Sequence, residues 1–151
     1  MIVCTHNRAA LLPACLESLV AQDLPSDDYE VIVVENACDD DTSAAWEPFT
    51  RRHRNVHGMR EPRAGKARAL NAGAGRARGT HVAFIDDDAQ APPQWLRRIA
   101  TTFQEKSPPP AVIVGRSDHL YQQPPPTWWV DLPEREAGFL TTRIDIVSRV
   151  A

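Results

Sequence analysis

The sequence predicts an α/β fold with a mostly parallel central sheet, and two observations carry that prediction. Short apolar, β-branched runs alternate with stretches of helical periodicity at close intervals through residues 1–115, the pattern of right-handed βαβ units. Polar clusters then follow three of the strand-like runs: Thr5, His6 and Asn7; Glu35 and Asn36; Asp86, Asp87 and Asp88. Ligands of open parallel sheets bind outside the carboxyl ends of the strands, so three such clusters predict one shared cleft. The alternative is that Asn and Asp gather there because they favour turns.

Each element has its own warrant. Residues 1–5 read as a strand that starts abruptly, so the strand is expected to be clipped or the chain to extend upstream. Leu12, Leu16, Leu19 and Val20 recur at helical spacing, and Pro13 is tolerable because it falls in the first turn. Residues 29–34 are apolar and β-branched, a second strand, and a polar loop with Asp39, Asp40 and Asp41 follows. Residues 42–53 predict a helix that Pro48 should kink or end early. Residues 56–60 make a short third strand. Residues 64–78 predict a helix of small residues with Ala67, Leu70, Ala74 and Ala77 on the face that packs on the sheet. In residues 81–88, His-Val-Ala-Phe-Ile-Asp-Asp-Asp, an apolar run stops at three carboxylates and reads as a buried strand and its tip. Pro92 and Pro93 mark the start of an amphipathic helix carried by Trp95, Leu96, Ile99 and Phe103. Residues 111–115 predict a fifth strand, after which Pro124, Pro125, Pro126, Trp128 and Trp129 lead into a tail without clear periodicity.

Composition narrows the function. A chain of 151 residues is one domain by length. A net charge of -3 argues against a general nucleic-acid binder, although residues 51–78 are locally basic. Cys4, Cys15 and Cys38 are odd in number and form no CxxC pair, against a disulfide framework or a zinc site. A reducing compartment fits, which places the expectation in the cytoplasm, free or peripheral at the inner membrane face. The apolar runs fall far short of the ~20 residues that span a bilayer, and no signal peptide is visible. The five histidines, His6, His53, His57, His81 and His119, show no helical metal-ligand spacing. Gly73 and Gly75 lie late in a helix and do not form a dinucleotide fingerprint.

The acidic triplet is the chemical centre of the chain. Side chains alternate along a strand, so Asp86 and Asp88 are expected on one face and Asp87 on the other. Two carboxylates meeting one cation suit Mg²⁺, which is typically held by one or two carboxylates plus phosphate oxygens of a substrate. The alternative is an acidic turn that caps the next helix. Arg63, Lys66 and Arg68 flank Gly65 and either supply positive charge to a diphosphate or form a solvated basic face; the solvated reading is favoured for Arg68.

With the strand ends placed, residues 1–115 resemble the family 2 glycosyltransferases, nucleotide-sugar enzymes of the GT-A fold. Ile-Val-Cys-Thr-His-Asn-Arg, at residues 2–8, looks like the family's opening Val-x-Val-x-Thr-Tyr-Asn-Arg, with His6 in place of Tyr. Val-Val-Glu-Asn-Ala-Cys-Asp-Asp-Asp-Thr is similar to its second-strand loop, with Glu35 where Asp is usual. The stretch from Glu61 to Gly73 is similar to its Gly-x-x-x-Ala-x-Asn-x-Gly helix, and Phe84 to Asp88 looks like its DxD motif. The resemblance implies a Rossmann-like three-layer sandwich, with residues 1–115 as the nucleotide-sugar-binding core. Residues 116–151 are then the start of an acceptor region or an irregular tail. Thr5, His6 and Asn7 are implied to line the nucleotide pocket, Glu35 or Asn36 to contact the base, and Asp40 to hold its loop. Asp86 and Asp87 are implied near the nucleotide sugar, with Asp86 and Asp88 at a Mg²⁺ or Mn²⁺ ion, and Lys66 joins the nucleotide-sugar candidates by its charge alone. The implied reaction is an inverting transfer from a nucleoside diphosphate sugar to an acceptor hydroxyl on a saccharide, lipid or protein. Its general base belongs to a later acidic motif; Glu134 and Glu136 do not match that pattern, and neither is nominated. The alternative function is a non-catalytic nucleotide-sugar-binding module.

Overall fold

The computed structural model describes residues 1–115, so the expectations for Trp128, Trp129, His119 and the tail lie outside the described residues. The chain divides into two compact units, Met1–Arg98 and Ile99–Ala151. In the first unit β1 (Ile2–Thr5), β2 (Val31–Asn36), β3 (Val56–Glu61) and β4 (Phe84–Asp86) alternate with α1 (Leu12–Val20), α2 (Thr42–Arg52) and α3 (Lys66–Arg76). A further helix, α4 (Trp95–Glu105), starts in this unit and continues into the second. From residue 106 to 115 the described part of the second unit contains no strand. The fifth strand expected at residues 111–115 is therefore absent, and Val112 is exposed. A strand is held by its ladder of backbone hydrogen bonds, and among the described residues these apolar β-formers have no partner strand.

The four strands pair in parallel in the order β3-β2-β1-β4. From β1 the chain advances through β2 to β3, then returns to the other side of β1 for β4. Right-handed crossovers that advance toward opposite edges put their helices on opposite faces. That is the observed arrangement: α1 and α2 cover one face, where Leu12, Leu16, Leu19, Val3, Val31 and Val33 are buried with Trp46 and Phe49 against them. The opposite face carries α3, with Ile2, Ile32, Val34 and Ala69 buried and Leu70 beside them. The result is the predicted α/β sandwich, with its strand order reversing between β1 and β4. That reversal opens a crevice at their carboxyl ends.

Two helices depart from expectation. Pro48 sits inside α2 without ending it. It forfeits one backbone hydrogen bond, while Trp46 and Phe49 on either side pack on the core. On α3 the buried positions are Ala69 and Gly73, whereas Ala67 and Ala74 are exposed. The reason is close approach: a Cβ at Gly73 would lie 2.7 Å from Ile2 Cγ2 and 3.0 Å from Val34 Cγ2. The residue with no side chain thus decides which way the helix faces.

Candidate active-site cleft

At the carboxyl ends of β1, β2 and β4 lies a cleft of about 440 Å³. The end of β1 contributes Thr5 and His6, the end of β2 contributes Asn36, and the tip of β4 contributes Asp86, Asp87 and Asp88. Lys66 lines it from the first turn of α3, together with Gly65 just before that turn. Gly65 has φ +136, a backbone conformation that favours glycine.

β4 ends at Asp86, so the alternation expected of a strand stops there. The chain turns, with Ala89 N–H donating to Asp86 O at 3.1 Å, and all three carboxylates line the same cleft. Asp87, expected on the opposite face, is instead buried beside its neighbours. Each carboxylate has a cationic partner. Lys66 Nζ lies 2.5 Å from Asp86 Oδ1, and Arg8 Nη1 bridges Asp87 Oδ1 at 3.1 Å and Asp88 Oδ2 at 2.7 Å. The hydrogen bond from Lys66 to Asp86 raises the lysine pKa, and the bond to Asp88 does the same for Arg8. Both stay charged. Burial pushes the Cys4 thiol up to about 11 and that of Cys15 up to about 12, which keeps both as neutral thiols near pH 7.

Thr5 is 2% exposed, and its Oγ1 has no hydrogen-bond partner. A buried hydroxyl without a partner is costly, and this one belongs to a residue that lines the cleft. His6 Nδ1 lies 2.7 Å from Asn36 O. Because a carbonyl only accepts, Nδ1 carries the proton, and in the neutral ring Nε2 is left as an acceptor.

Asn36 lines the cleft, but its amide is already committed. Nδ2 donates to Glu61 O at 2.9 Å and to Arg63 O at 2.8 Å, and Oδ1 accepts from Gly65 N–H at 2.9 Å. The side chain expected to read a base therefore pins the β3–α3 loop that forms one wall. Glu35 does not line the cleft. Side chains alternate on β2, and Glu35 falls on the face that carries α2. There Ser43 Oγ donates to Oε2 at 2.7 Å, Trp46 Nε1 donates to it at 2.9 Å, and Arg60 Nε stands 3.3 Å from Oε1. Asn7 is also outside the lining. With φ 52, it accepts Asp39 N–H on Oδ1 at 2.9 Å and joins the β1 and β2 loops. Asp40, expected to hold its loop, accepts from Thr42 N–H at 3.1 Å and Ala9 N–H at 3.3 Å. Arg8 was not nominated from the sequence, although it directly follows Asn7 in the opening motif.

Arg63 faces Glu61 and is absent from the cleft lining. Its Nε and Nη2 donate to the Glu61 carboxylate at 2.9 and 3.0 Å, and its backbone N–H adds a bond of 3.0 Å. These side-chain and then backbone hydrogen bonds hold Glu61 at about 2, against an ordinary 4.5. A depressed carboxylate stabilises the fold above its unfolded pKa, and that contribution fades as pH falls from about 4.5 toward about 2. Arg63→Gln is expected to lower the melting temperature modestly at neutral pH and to shrink the fall across the acid window. A pH series of thermal melts measures both, and an identical pH profile in the variant would refute the coupling.

The profile of the family described as Glycosyl transferase family 2 matches residues 1–149. Glycosyltransferase AglE of Haloferax volcanii is 31% identical over 103 residues, 68% of this chain and 34% of that protein. The crystal structure of S. aureus TarS 1-349 in complex with UDP superposes with a TM-score of 0.64 at 27% identity, over 69% of this chain and 31% of that one. Mannosyltransferase PcManGT from Pyrobaculum calidifontis, in complex with GDP-Man and Mn²⁺, gives a TM-score of 0.58 at 34% identity, over 63% of this chain and 31% of that one. The chain thus spans about a third of the length of each of these relatives. No helix among the described residues is long and apolar enough to cross a membrane. With the profile matched across residues 1–149 and the parallel sheet shared with solved glycosyltransferases, the chain belongs to glycosyl transferase family 2.

Proposed function

We propose that the cleft binds a nucleoside diphosphate sugar together with Mg²⁺ or Mn²⁺, for inverting transfer of the sugar to an acceptor hydroxyl. One observation carries the reading: three carboxylates and two cations line one cleft whose wall holds a buried hydroxyl with no partner. The TarS complex with UDP and the PcManGT complex with GDP-Man and Mn²⁺ agree with it. The donor set suits a hard ion, being carboxylate oxygen. Among the described residues no group of three or more ligating side chains is assembled, so phosphate oxygens are needed to complete a coordination shell.

Asp86 and Asp88, both exposed at the cleft, are the residues that hold the cation. Bound there, the cation supplies Lewis-acid stabilisation of the charge that develops on the departing diphosphate. Lys66 and Arg8 bring positive charge to phosphate oxygens. α3 begins at the cleft, which places the positive end of its dipole beside an anion. Thr5 Oγ1 donates to a nucleotide acceptor, and His6 presents Nε2.

Thr5→Val tests the reading with a nearly isosteric change. The variant loses a buried, unpaired hydroxyl, so its melting temperature is expected to stay level or rise. Its affinity for UDP or GDP with Mn²⁺ is expected to fall about five- to tenfold, a typical loss for one hydrogen bond of about 1 kcal/mol. Affinity within twofold of the parent for both nucleotides would remove Thr5 from the site.

A further inference from the structure

We infer that Arg8 is an internal counter-ion that couples cation binding to nucleotide binding: it holds Asp87 and Asp88 until a diphosphate offers it an alternative partner. The inference rests on the function proposed above and concerns the order in which the charges assemble. One guanidinium nitrogen, Nη1, is within hydrogen-bond distance of both carboxylates, 3.1 Å from Asp87 and 2.7 Å from Asp88. Asp87 is 7% exposed at its side chain, Asp88 is 50% exposed and Arg8 is 47% exposed. The buried member anchors the contact, while the arginine and Asp88 keep access to solvent.

Arg8 lies in the β1–α1 loop, between the end of β1 at Thr5 and the start of α1 at Leu12, on an unbranched stem that can swing. A divalent cation arriving alone finds Asp88 neutralised by Arg8 and Asp86 neutralised by Lys66. It also finds no group of three ligating side chains among the described residues. Binding then means moving a cation off a carboxylate into water, with the loss of that ion pair and no anion to replace it. A diphosphate changes the balance, because its oxygens accept bidentate hydrogen bonds from the guanidinium and also donate electron pairs to the metal. Arg8 turns from Asp88 to phosphate, and Asp88 is freed for the ion, whose charge then compensates that carboxylate in place of the arginine. Such an exchange makes each ligand raise the affinity for the other by the same factor.

The test is Mn²⁺ binding by the full chain, followed by electron paramagnetic resonance of free Mn²⁺ and by calorimetry, with and without UDP or GDP. The parent is expected to bind Mn²⁺ weakly alone and about tenfold more tightly with nucleotide, within the five- to 150-fold range usual for coupled sites. Arg8→Met removes the charge and keeps the stem. It is expected to bind Mn²⁺ alone about tenfold better than the parent and to lose most of the enhancement by nucleotide. Arg8→Lys, which keeps the charge, is expected to retain weak Mn²⁺ binding in the absence of nucleotide, and this separates charge from any change in packing. If the parent shows Mn²⁺-dependent nucleotide binding but Arg8→Met binds Mn²⁺ alone no better, the inference falls while the proposed function stands. If the parent shows no such binding with either nucleotide, both fall.

Discussion

Asp88→Ala is expected to abolish metal-dependent binding of UDP or GDP by the full chain, with affinity falling at least about 100-fold. Losing a residue that merely supports a metal ligand typically costs 10- to 100-fold, so losing a ligand should cost no less. The loss is local because Asp88 is half exposed and its partner is Arg8. The melting temperature should therefore change little. Asp86→Ala removes the other proposed ligand and leaves Lys66 without its carboxylate, so a loss of similar size is expected. Asp87→Ala is expected to spare more of the binding, because that carboxylate is buried and reaches the cleft mainly by holding Arg8. Calorimetry with and without Mn²⁺ ranks the three variants. Affinity within twofold of the parent for Asp88→Ala, with the melt unchanged, would sink the assignment of the acidic triplet.

Gly58→Ala is expected to give the largest loss of stability, about 3 kcal/mol, from over-packing and a lost buried hydrogen bond together. A Cβ built at Gly58 would lie 2.0 Å from Trp46 Cζ3, inside the indole ring that covers this part of β3. The ring must move, and with it goes the bond from Trp46 Nε1 to Glu35. The Glu35 carboxylate, 8% exposed, then keeps only Ser43 and Arg60. The melting temperature should drop by roughly 10 °C in a chain of this size. A double-mutant cycle with Trp46→Leu provides the control, since the smaller side chain removes most of the clash. The two substitutions should then cost less together than the sum of their separate effects. Additive losses would show that the indole is not the obstacle.

These two substitutions also mark where sequence reading succeeds and where it stops. The acidic triplet was legible because an apolar run ending in carboxylates is a local pattern, visible without knowing the fold. Gly58 was not, because its importance lies in a tryptophan that approaches from a helix earlier in the chain. Gly73 eluded the same reasoning in a different way. Periodicity counts side chains, and on α3 the closest packing is made at a residue that has none: of the expected Ala67, Leu70, Ala74 and Ala77, Leu70 and Ala77 pack on the sheet, while the buried positions are Ala69 and Gly73.

The sequence by itself determined the alternation of strands and helices, and with it the parallel sheet. It also determined that polar residues collect after β1, β2 and β4, because strand ends and turn-forming residues are local features. Which of those residues face the cleft was decided only by tertiary structure. Glu35 and Asn36 are neighbours, yet alternation sends the first to α2 and the second to the β3–α3 loop. Asp87 joins the cleft because β4 ends at Asp86 and the chain turns. Arg8 finds Asp87 and Asp88 across 79 and 80 residues of chain, since β1 and β4, far apart in sequence, are neighbours in the sheet. Periodicity records how a segment meets a surface; the direction of a polar side chain at a strand end depends on where pairing stops and which distant element lies opposite.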